Sequence, residues 1–481
     1  MGSYFFLQVV VVVIALSLFT TIFNKRILGL PAAIGIPIVS AICALVLQWS
    51  ATGLLTSNEY IYINIPKLEE AVRHIDFYDF LINGVICFVL TASALKFKVS
   101  DLQTHWKPIT ILATLSLVAC AFIFGGLLFG FQYLMGSPVP LIVLLLLGSA
   151  LGATDPIGVK GVLSSVKAPN HLMVKLEGES LFNDAMCIAI FMTIFNIIKG
   201  GEFTFIGVLE TLAFEVLVAA AIGYVCGITG LKLLKMSSDD IKSLILVTAL
   251  LAAGSYLIAL YSHASAPIAC VIAGLIVGNK WKEFVEEKDV DEVNHFWHTT
   301  EDLINSFLFT LIGLELFLIE LNAKLILGGI VAFIILHFSR FLANYSTFFL
   351  FKSVRKNSMN GSLTILSWGG VRGGISLALI LAVLNEPSLK DYASIILGYT
   401  FISVLMSGVV CGLGLPAVMN AFYHNPDEET KGFKGWYQRQ CHKMNRKGFK
   451  YEVIDNDNGT QTIRVYNTAG SEKNTEVDNN F

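Results

Sequence analysis

The sequence predicts an all-α polytopic membrane protein with about thirteen transmembrane helices. The 481-residue chain is 55% hydrophobic and only 14% charged, with a mean hydropathy of +0.68. Soluble domains contain about 25% charged residues. Apolar runs of about 20 residues, the length needed to cross a bilayer core, also recur along the chain. A large soluble protein with a few buried helices would not repeat runs of this length.

Hydropathy and helix breakers place the individual spans. The first apolar run lacks the basic leader and the small-residue cleavage site of a signal peptide, so it is predicted to be the first span. The thirteen predicted spans lie near residues 4–23, 27–49, 76–97, 106–133, 138–163, 175–198, 204–235, 241–260, 265–279, 299–320, 324–351, 361–384 and 391–421.

Lysine and arginine residues predict the orientation. The loops of one side hold sixteen of them and the loops of the other side five. By the positive-inside rule, the N-terminus is expected outside and the C-terminus in the cytoplasm. The protein is accordingly expected in the cell (inner) membrane.

Cysteines and charge exclude several classes of protein. Seven of the eight cysteines fall inside predicted spans, and no Cys/His spacing is typical of a metal site. No cofactor is therefore expected. The net charge of −3 gives no indication of nucleic-acid binding. An enzyme is not predicted, because no nucleophile and base constellation is visible.

The chain becomes polar at about residue 422, which predicts a transmembrane domain, 1–421, and a cytoplasmic tail, 422–481. The basic segment 431–447 is equally consistent with a contact to anionic membrane lipids and with a solvated stop signal. Residues 451–454 and 462–466 flank Asn458-Gly459, so a β-hairpin is predicted there, followed by a disordered end.

Two spans contain helix breakers. Span five contains Thr154-Asp155-Pro156, and Pro156 has no N–H to offer the carbonyl of Gly152. Span twelve contains Gly369-Gly370-Val371-Arg372-Gly373-Gly374, in which four glycines surround one arginine. The breaks lie seven spans apart, which predicts two inverted six-helix repeats with crossing broken helices. Two independent kinks would explain the same pattern without a repeat.

Span six carries an acidic residue into hydrocarbon. Asp184 follows Asn183 and precedes an apolar run, and an Asp at the centre of a membrane helix costs about 2.5–3.5 kcal/mol. On a helix, Ser180 lies beneath Asp184 and Glu179 beneath Asn183. The carboxylate of Asp184 and the hydroxyl oxygen of Ser180 are suitable ligands for a monovalent cation.

The second pair needs buried partners, for which Arg340 and Arg372 are the intramembrane candidates. A structural ion pair of Asp184 with one of these arginines is the alternative.

Together, the Glu179-Ser180-Leu181-Phe182-Asn183-Asp184 run, Thr154-Asp155-Pro156, the glycine-rich segment and Arg340 resemble the monovalent cation/proton antiporters of the NhaP and NHE type over residues 5–420. The resemblance implies that Asp184 binds cation and proton alternately. It also implies that core spans 4–6 and 11–13 rock against a dimerisation domain, and that the protein is a homodimer.

The resemblance further assigns roles to the neighbouring residues. Ser180 and Thr154 are implied as cation ligands, with Asp155 acting through water. Glu179, Asn183 and Arg340 are implied as a structural polar network, and Arg372 as the residue that stabilises the break in span twelve.

One departure concerns span three. Many members of that family carry an acidic residue at the position that Ala92 occupies here. In span ten, Asn305 and Glu315 are polar positions that can line the core, but nothing in the pattern makes them ion ligands.

The residues predict electroneutral one-for-one exchange, and the resemblance implies that it exchanges Na⁺ (or Li⁺) for H⁺ with a role in pH homeostasis. Burial disfavours a charged carboxylate and a nearby positive charge favours it, so a cation and a proton can compete for Asp184. A K⁺/H⁺ antiporter and a cation channel that uses the same carboxylate are the alternatives.

Overall fold

The structure is a computed structural model in which two compact units are distinguished, Met1–Phe422 and Tyr423–Phe481. It describes residues 3–51, 79–155, 170–201, 204–237, 240–314, 316, 319, 322–356, 361–384, 386–422, 449–455, 461–467 and 472–473. The predictions made for Pro156, Glu315 and the basic segment 431–447 lie outside the described residues.

The regular secondary structure in the described part of the first unit is all helical. Its α-helices are α1 Ser3–Phe23, α2 Ala32–Ala51, α3 Ile86–Lys96, α4 Val99–Ile111, α5 Leu117–Leu134, α6 Leu141–Ala150, α7 Asn170–Ile198, α8 Phe205–Met236, α9 Ile241–Tyr261, α10 Ala266–Lys280, α11 Glu287–Leu314, α12 Ala323–Leu350, α13 Lys352–Lys356, α14 Ser362–Trp368, α15 Gly374–Val383, α16 Ala393–Met406 and α17 Leu413–Phe422. Short π-helical segments lie at Asn24–Leu28, Asp79–Val85, Leu112–Ser116 and Ser407–Gly412, and 3₁₀ turns at Trp281–Glu283 and Pro387–Tyr392.

Seven of the described helical stretches are long and apolar enough to cross a membrane. The polytopic all-α fold is thereby confirmed, whereas the number of thirteen crossings and the inverted repeats stay predictions. Several helix starts differ from the predicted spans by five residues or more. Helix α2 begins at Ala32 because Gly29 adopts a left-handed conformation (φ +63°) that ends the preceding helical segment.

The larger difference is at α11, which begins at Glu287 rather than near residue 299. Hydropathy detects only the apolar part of this helix, whereas its polar first turns continue the same helix. Glu287 and Asp289 lie in the first turn, where the helix dipole favours negative charge.

Helix α10 packs closely on α3 through two glycines spaced four residues apart. A Cβ atom on Gly274 would meet the side chain of Ala94 and the carbonyl of Thr91, and one on Gly278 would overlap the backbone of Leu95. Small residues at this spacing let two helix backbones approach in a membrane. Helix α3 is therefore fixed against α10, with its opposite face available to line a cavity.

Four hydroxyl-bearing residues, here called the hydroxyl cluster, tie α11 to α1 and α2. Ser17 Oγ and Thr20 Oγ1 each lie 3.1 Å from Thr310 Oγ1, and Ser40 Oγ donates to the Thr310 carbonyl at 2.6 Å. In the same region, a Cβ on Gly313 would collide with the backbone of α2. Hydrogen bonds and close backbone contact together fix α11 as a wall of the bundle.

A second group of helices surrounds the residues of span six. Helix α7 packs against α4 and α6, and α12 packs against α5, α14 and α16. Helix α8 lies further out and exposes the side chains of Leu217 and Val225. An apolar outer surface of this kind is expected where a helix faces lipid or another apolar surface.

The second unit contains a small antiparallel sheet in the order β1-β2-β3. Strand β1 Phe449–Asp455 pairs with β2 Gln461–Asn467, with Tyr451 opposite Val465. Strand β3 Glu472–Lys473 pairs with β2. The two longer strands flank the Asn458-Gly459 turn that was predicted from the sequence, and the turn itself lies outside the described residues.

Candidate functional site

Two non-helical segments, each following the end of a helix, meet in the first unit. Helix α6 ends at Ala150, and residues 151–155 continue without helical structure. The second interruption, residues 369–373, separates α14 from α15. The backbone N–H of Asp155 donates to the carbonyl of Val371 at 2.7 Å. The two breaks predicted from the sequence therefore lie side by side.

Side chains from two other segments bind the carbonyl groups exposed at the first break. Gly152 O accepts hydrogen bonds from Asn183 Nδ2 at 3.0 Å and from Arg372 Nη1 at 2.7 Å, and Arg372 Nη1 also lies 3.2 Å from Ala153 O. A backbone acceptor at membrane depth is costly unless it is paired. The Gly152 carbonyl, which Pro156 cannot hydrogen-bond, therefore accepts two hydrogen bonds from side chains.

The side chain of Arg372 reaches the break in span five. The resemblance assigned this arginine to the break in span twelve, but its guanidinium group binds the carbonyls of the break in span five. Its backbone N–H donates to Ser407 Oγ at 2.9 Å. The physical reason is that the non-helical carbonyls of Gly152 and Ala153 lie within its reach and need a donor.

Arg340 joins three helices around Glu179. Its Nη2 atom donates to Glu179 Oε1 at 2.7 Å and lies 3.3 Å from the carbonyl of Leu366, next to the second break. Both charged side chains are buried. A Cβ atom on Gly370 would overlap the Arg340 side chain, so the glycine lets the guanidinium approach the backbone. The pair links α7, α12 and α14.

Asn183, Ser180 and Thr154 form one hydrogen-bonded group. Asn183 Nδ2 lies 3.1 Å from Thr154 Oγ1, and Ser180 Oγ donates to the carbonyl of Thr154. The two hydroxyl oxygens of Ser180 and Thr154 are 3.3 Å apart. The Asn183 amide also binds the Gly152 carbonyl that the Arg372 guanidinium group binds.

Asp184 is buried beside this group. Its Oδ1 atom is buried without a hydrogen-bond partner in the described part of the chain. Among the residues that the structure describes, Asp184 forms no salt bridge. The arginines that could have made a structural ion pair with it bind Glu179 and backbone carbonyls instead.

A cavity of about 260 Å³ reaches Asp184, Thr154 and Asp155. Helices α3 and α11 form the opposite wall. Ser180 does not line this cavity, although its hydroxyl group binds Thr154, which does. The other polar lining residues are Ser93, Lys96, Glu177, His298, Glu301, Asp302 and Asn305.

An acidic cluster on α11 escaped the sequence reasoning. Glu301 accepts from Lys96 Nζ at 2.9 Å and from Ser93 Oγ at 3.1 Å, and Asp302 pairs with His298 at 3.2 Å. The helical spacing of residues 298, 301, 302 and 305 on one face was the available signal. It was missed because spacing along one helix does not show whether that face meets lipid, another helix or a cavity.

The side of α3 that faces the cavity also changes the interpretation of Ala92. Ala92 is buried in an apolar cluster with Leu234 and Trp281, whereas Ser93 and Lys96 line the cavity. Successive helix positions point about 100° apart. Position 92 is therefore at the edge of the face that lines the cavity, and its side chain packs in the apolar cluster.

Comparison with known proteins decides the family. Residues 13–416 match the family model described as "Sodium/hydrogen exchanger, transmembrane". The chain belongs to the sodium/hydrogen exchanger family. The Na⁺/H⁺ antiporter NhaP of Pseudomonas aeruginosa is 32% identical over 441 residues, covering 89% of this chain and 99% of its own length. The Na⁺/H⁺ antiporter NhaG of Bacillus atrophaeus is 29% identical, covering 76% and 69%.

The fold agrees with that of a solved structure. The sodium proton antiporter MjNhaP1 from Methanocaldococcus jannaschii has a TM-score of 0.68 at 18% identity, and the match covers 88% of this chain and all of that one. The predicted resemblance is confirmed. Members of the sodium/hydrogen exchanger family are integral membrane transporters, so the expectation of a transporter rather than an enzyme is also confirmed.

Proposed function

We propose that this protein exchanges Na⁺ (or Li⁺) for H⁺ across the membrane by binding the two ions alternately at Asp184. The observation that carries this proposal is a buried carboxylate with an unpaired oxygen, located where two broken helices meet and where a cavity ends. A buried ionisable residue without a structural partner is costly, and in a membrane such a residue usually marks an ion path.

The cation site that fits this arrangement consists of Asp184, Ser180 and Thr154, with Asp155 acting through water. All four residues offer oxygen atoms, which are the ligands that hard cations prefer. Thr154 and Asp155 come from the non-helical residues after α6, so their backbone and side-chain groups are not committed to a helix. Glu179, Asn183, Arg340 and Arg372 hold this segment in place through the contacts described above.

Charge balance supports one-for-one exchange. The cluster around the breaks contains three carboxylates, of Asp155, Glu179 and Asp184, and two guanidinium groups, of Arg340 and Arg372. With all of these groups ionised, one negative charge is left over. A single Na⁺ or a single H⁺ neutralises it, so the loaded site carries the same net charge in both directions.

The cavity walls support a rocking mechanism. Asp184 and the breaks lie on one wall, and α3 with α11 forms the other. Alternating access then requires the first wall to move relative to the second. Under the predicted orientation, with the N-terminus outside and the C-terminus in the cytoplasm of a cell (inner) membrane, Lys96 marks the cytoplasmic mouth.

We further infer a homodimer within the membrane lipids, because the apolar faces of α1 and α8 are largely exposed in the single chain. Such faces suit lipid contacts or a second copy.

A pH-gradient dissipation assay in proteoliposomes tests the proposed function. We expect Na⁺ and Li⁺ to dissipate an imposed gradient at rates far above those of empty liposomes, and K⁺ to leave it intact. Dissipation by K⁺ alone would replace the proposal with K⁺/H⁺ exchange. A gradient that none of the three cations dissipates would contradict cation/proton exchange itself, and ion currents far faster than a carrier would indicate a channel.

The stoichiometry gives a separate prediction. Because one Na⁺ replaces one H⁺, an imposed membrane potential of either sign should leave the initial rate of Na⁺/H⁺ exchange unchanged. The measurement uses the same proteoliposomes with a potential set by a K⁺ gradient and valinomycin, after K⁺ has been tested as a substrate. Marked acceleration by a potential of one sign would show that net charge moves.

A further inference from the structure

One face of α11 forms the cavity wall opposite Asp184. His298, Glu301, Asp302, Asn305, Leu308 and Phe309 line the cavity at helical spacing. A helix rises 1.5 Å per residue, so Asn305 lies roughly 5 Å further along the axis than Glu301 and Asp302. The next lining positions, Leu308 and Phe309, are apolar. Asn305 is therefore the innermost polar residue that α11 contributes to this cavity.

The amide group of Asn305 is nearly enclosed. The residue is only 8% exposed, and its Nδ2 atom has no hydrogen-bond acceptor among the residues that the structure describes. A buried amide without partners costs free energy, so such a group in a native structure calls for a physical explanation. Rotation about χ2 lets an amide present either its NH₂ group or its carbonyl oxygen to the cavity.

The position of this amide is fixed by the packing of α11. Thr310, which lies five residues further along the helix, belongs to the hydroxyl cluster, and Gly313 contacts the backbone of α2. A ligand on a fixed helix discriminates between ions better than one on a mobile loop, because its distance to the ion cannot adjust freely.

We propose that Asn305 supplies a neutral oxygen ligand to the cation from the wall opposite Asp184 and thereby helps to determine which cation is exchanged. This inference rests on the proposed exchange at Asp184. As a cation moves along the cavity from Glu301 and Asp302 towards Asn305, the Asn305 carbonyl oxygen replaces one of the water ligands of the cation. Because the amide is neutral, this contact leaves the one-for-one charge balance intact.

The alternative is that Asn305 is only a buried packing residue. A packing defect would lower the amount or the stability of folded protein, and it would affect all transported cations equally. A lost ligand would instead raise the KM of each cation by a different factor, because Li⁺ and Na⁺ differ in size and in the cost of dehydration. The two roles are therefore separated by the ratio of KM values.

The test compares Asn305→Ala and Asn305→Ser with wild type in the proteoliposome assay. For Asn305→Ala, we expect the KM for Na⁺ to rise about ten-fold, equivalent to ~1.4 kcal/mol, with a much smaller change in kcat. That pattern indicates lost binding rather than a lost transition-state contact. The ratio of the Li⁺ and Na⁺ KM values should change as well. Asn305→Ser, which retains an oxygen, should recover part of the loss.

Asn294→Ala is the matched control, since Asn294 lies on the same helix but does not line the cavity. It should leave both KM values and their ratio unchanged. Asn305→Ala and Asn305→Ser proteins with wild-type KM values for Na⁺ and Li⁺, or with an unchanged ratio, would overturn the role of Asn305. Asp184→Asn in the same assay separates the two proposals, because full activity in that variant would overturn the exchange site itself.

Discussion

Replacing Asp184 by asparagine is expected to abolish cation/proton exchange and to leave the protein folded. Asparagine has nearly the same shape as aspartate, so the buried site can accommodate it. It can neither carry the negative charge that attracts Na⁺ nor bind the proton that replaces it. Exchange should fall to the rate of empty liposomes for Na⁺, Li⁺ and any other transported cation.

Binding gives a second measurement of the same variant. A cation that binds only the folded protein stabilises it by about 2.7 kcal/mol at roughly 100 times its Kd. Wild type should therefore melt at a higher temperature in high Na⁺ than in a salt that is not transported, and Asp184→Asn should show no such difference. In the absence of Na⁺, the variant should melt at or slightly above the wild-type temperature, because a buried charge without a salt-bridge partner has been removed.

The matched control is Asp240→Asn, the same chemical change at an exposed position. Asp240 caps α9 by accepting hydrogen bonds from the Lys242 and Ser243 backbone amides, and asparagine caps helices comparably well. Exchange and the Na⁺-dependent shift in melting temperature should both persist in this control. An Asp184→Asn protein that still exchanged Na⁺ for H⁺ at the wild-type rate would show that the carboxylate is not the exchange site.

The local arrangement of span six could be predicted because helical spacing is geometric. Residues four apart share a face, so the placement of Ser180 near Asp184 and of Glu179 near Asn183 needed no tertiary information. The pairing of Glu179 with an intramembrane arginine followed from the cost of an unpaired buried charge. The structure brings Glu179 and Arg340 together at 2.7 Å.

The contact between Arg372 and the break in span five could not be predicted in this way. Each break exposes carbonyl groups, and either arginine could supply donors, so spacing along the chain does not distinguish the two pairings. Arg372 reaches the carbonyls of Gly152 and Ala153 only because the two interrupted segments lie side by side. That contact joins residues more than two hundred positions apart and depends on the packing of the whole bundle.

The wall formed by α11 was missed for a different reason. Glu301 and Asn305 lie within the predicted span and on one face of α11. Whether that face meets lipid, another helix or a cavity is decided by neighbouring helices. The same limit applies to Ala92, whose direction is set by the contact of α3 with α10.

Replacing Arg340 by alanine should have the largest effect on stability of any change in this cluster. It leaves Glu179 buried without its cation and removes a donor from the carbonyl of Leu366. Loss of one partner from a buried ion pair typically costs about 3–5 kcal/mol. The stranded carboxylate would have to bind a proton or admit water, and both alternatives disturb the packing between α7, α12 and α14. We expect a sharply lower melting temperature in detergent and a lower yield of monodisperse protein.

A second variant separates the lost charge pair from the lost volume. In the double variant Glu179→Gln with Arg340→Met, no charge is left unpaired and the long side chain at position 340 is largely retained. Replacing a buried ion pair by neutral groups of similar volume is often close to neutral for stability. The double variant should therefore melt well above Arg340→Ala, although below wild type, because the hydrogen bond to Leu366 is still missing. Arg26→Ala, at an exposed arginine, should melt within a degree or two of wild type, as is usual for surface substitutions of about ±0.5 kcal/mol.

Equal melting temperatures for Arg340→Ala and wild type would mean that the Glu179–Arg340 pair does not hold the three helices together. The stability of the site would then have to come from the contacts of Arg372 and Asn183 with Gly152.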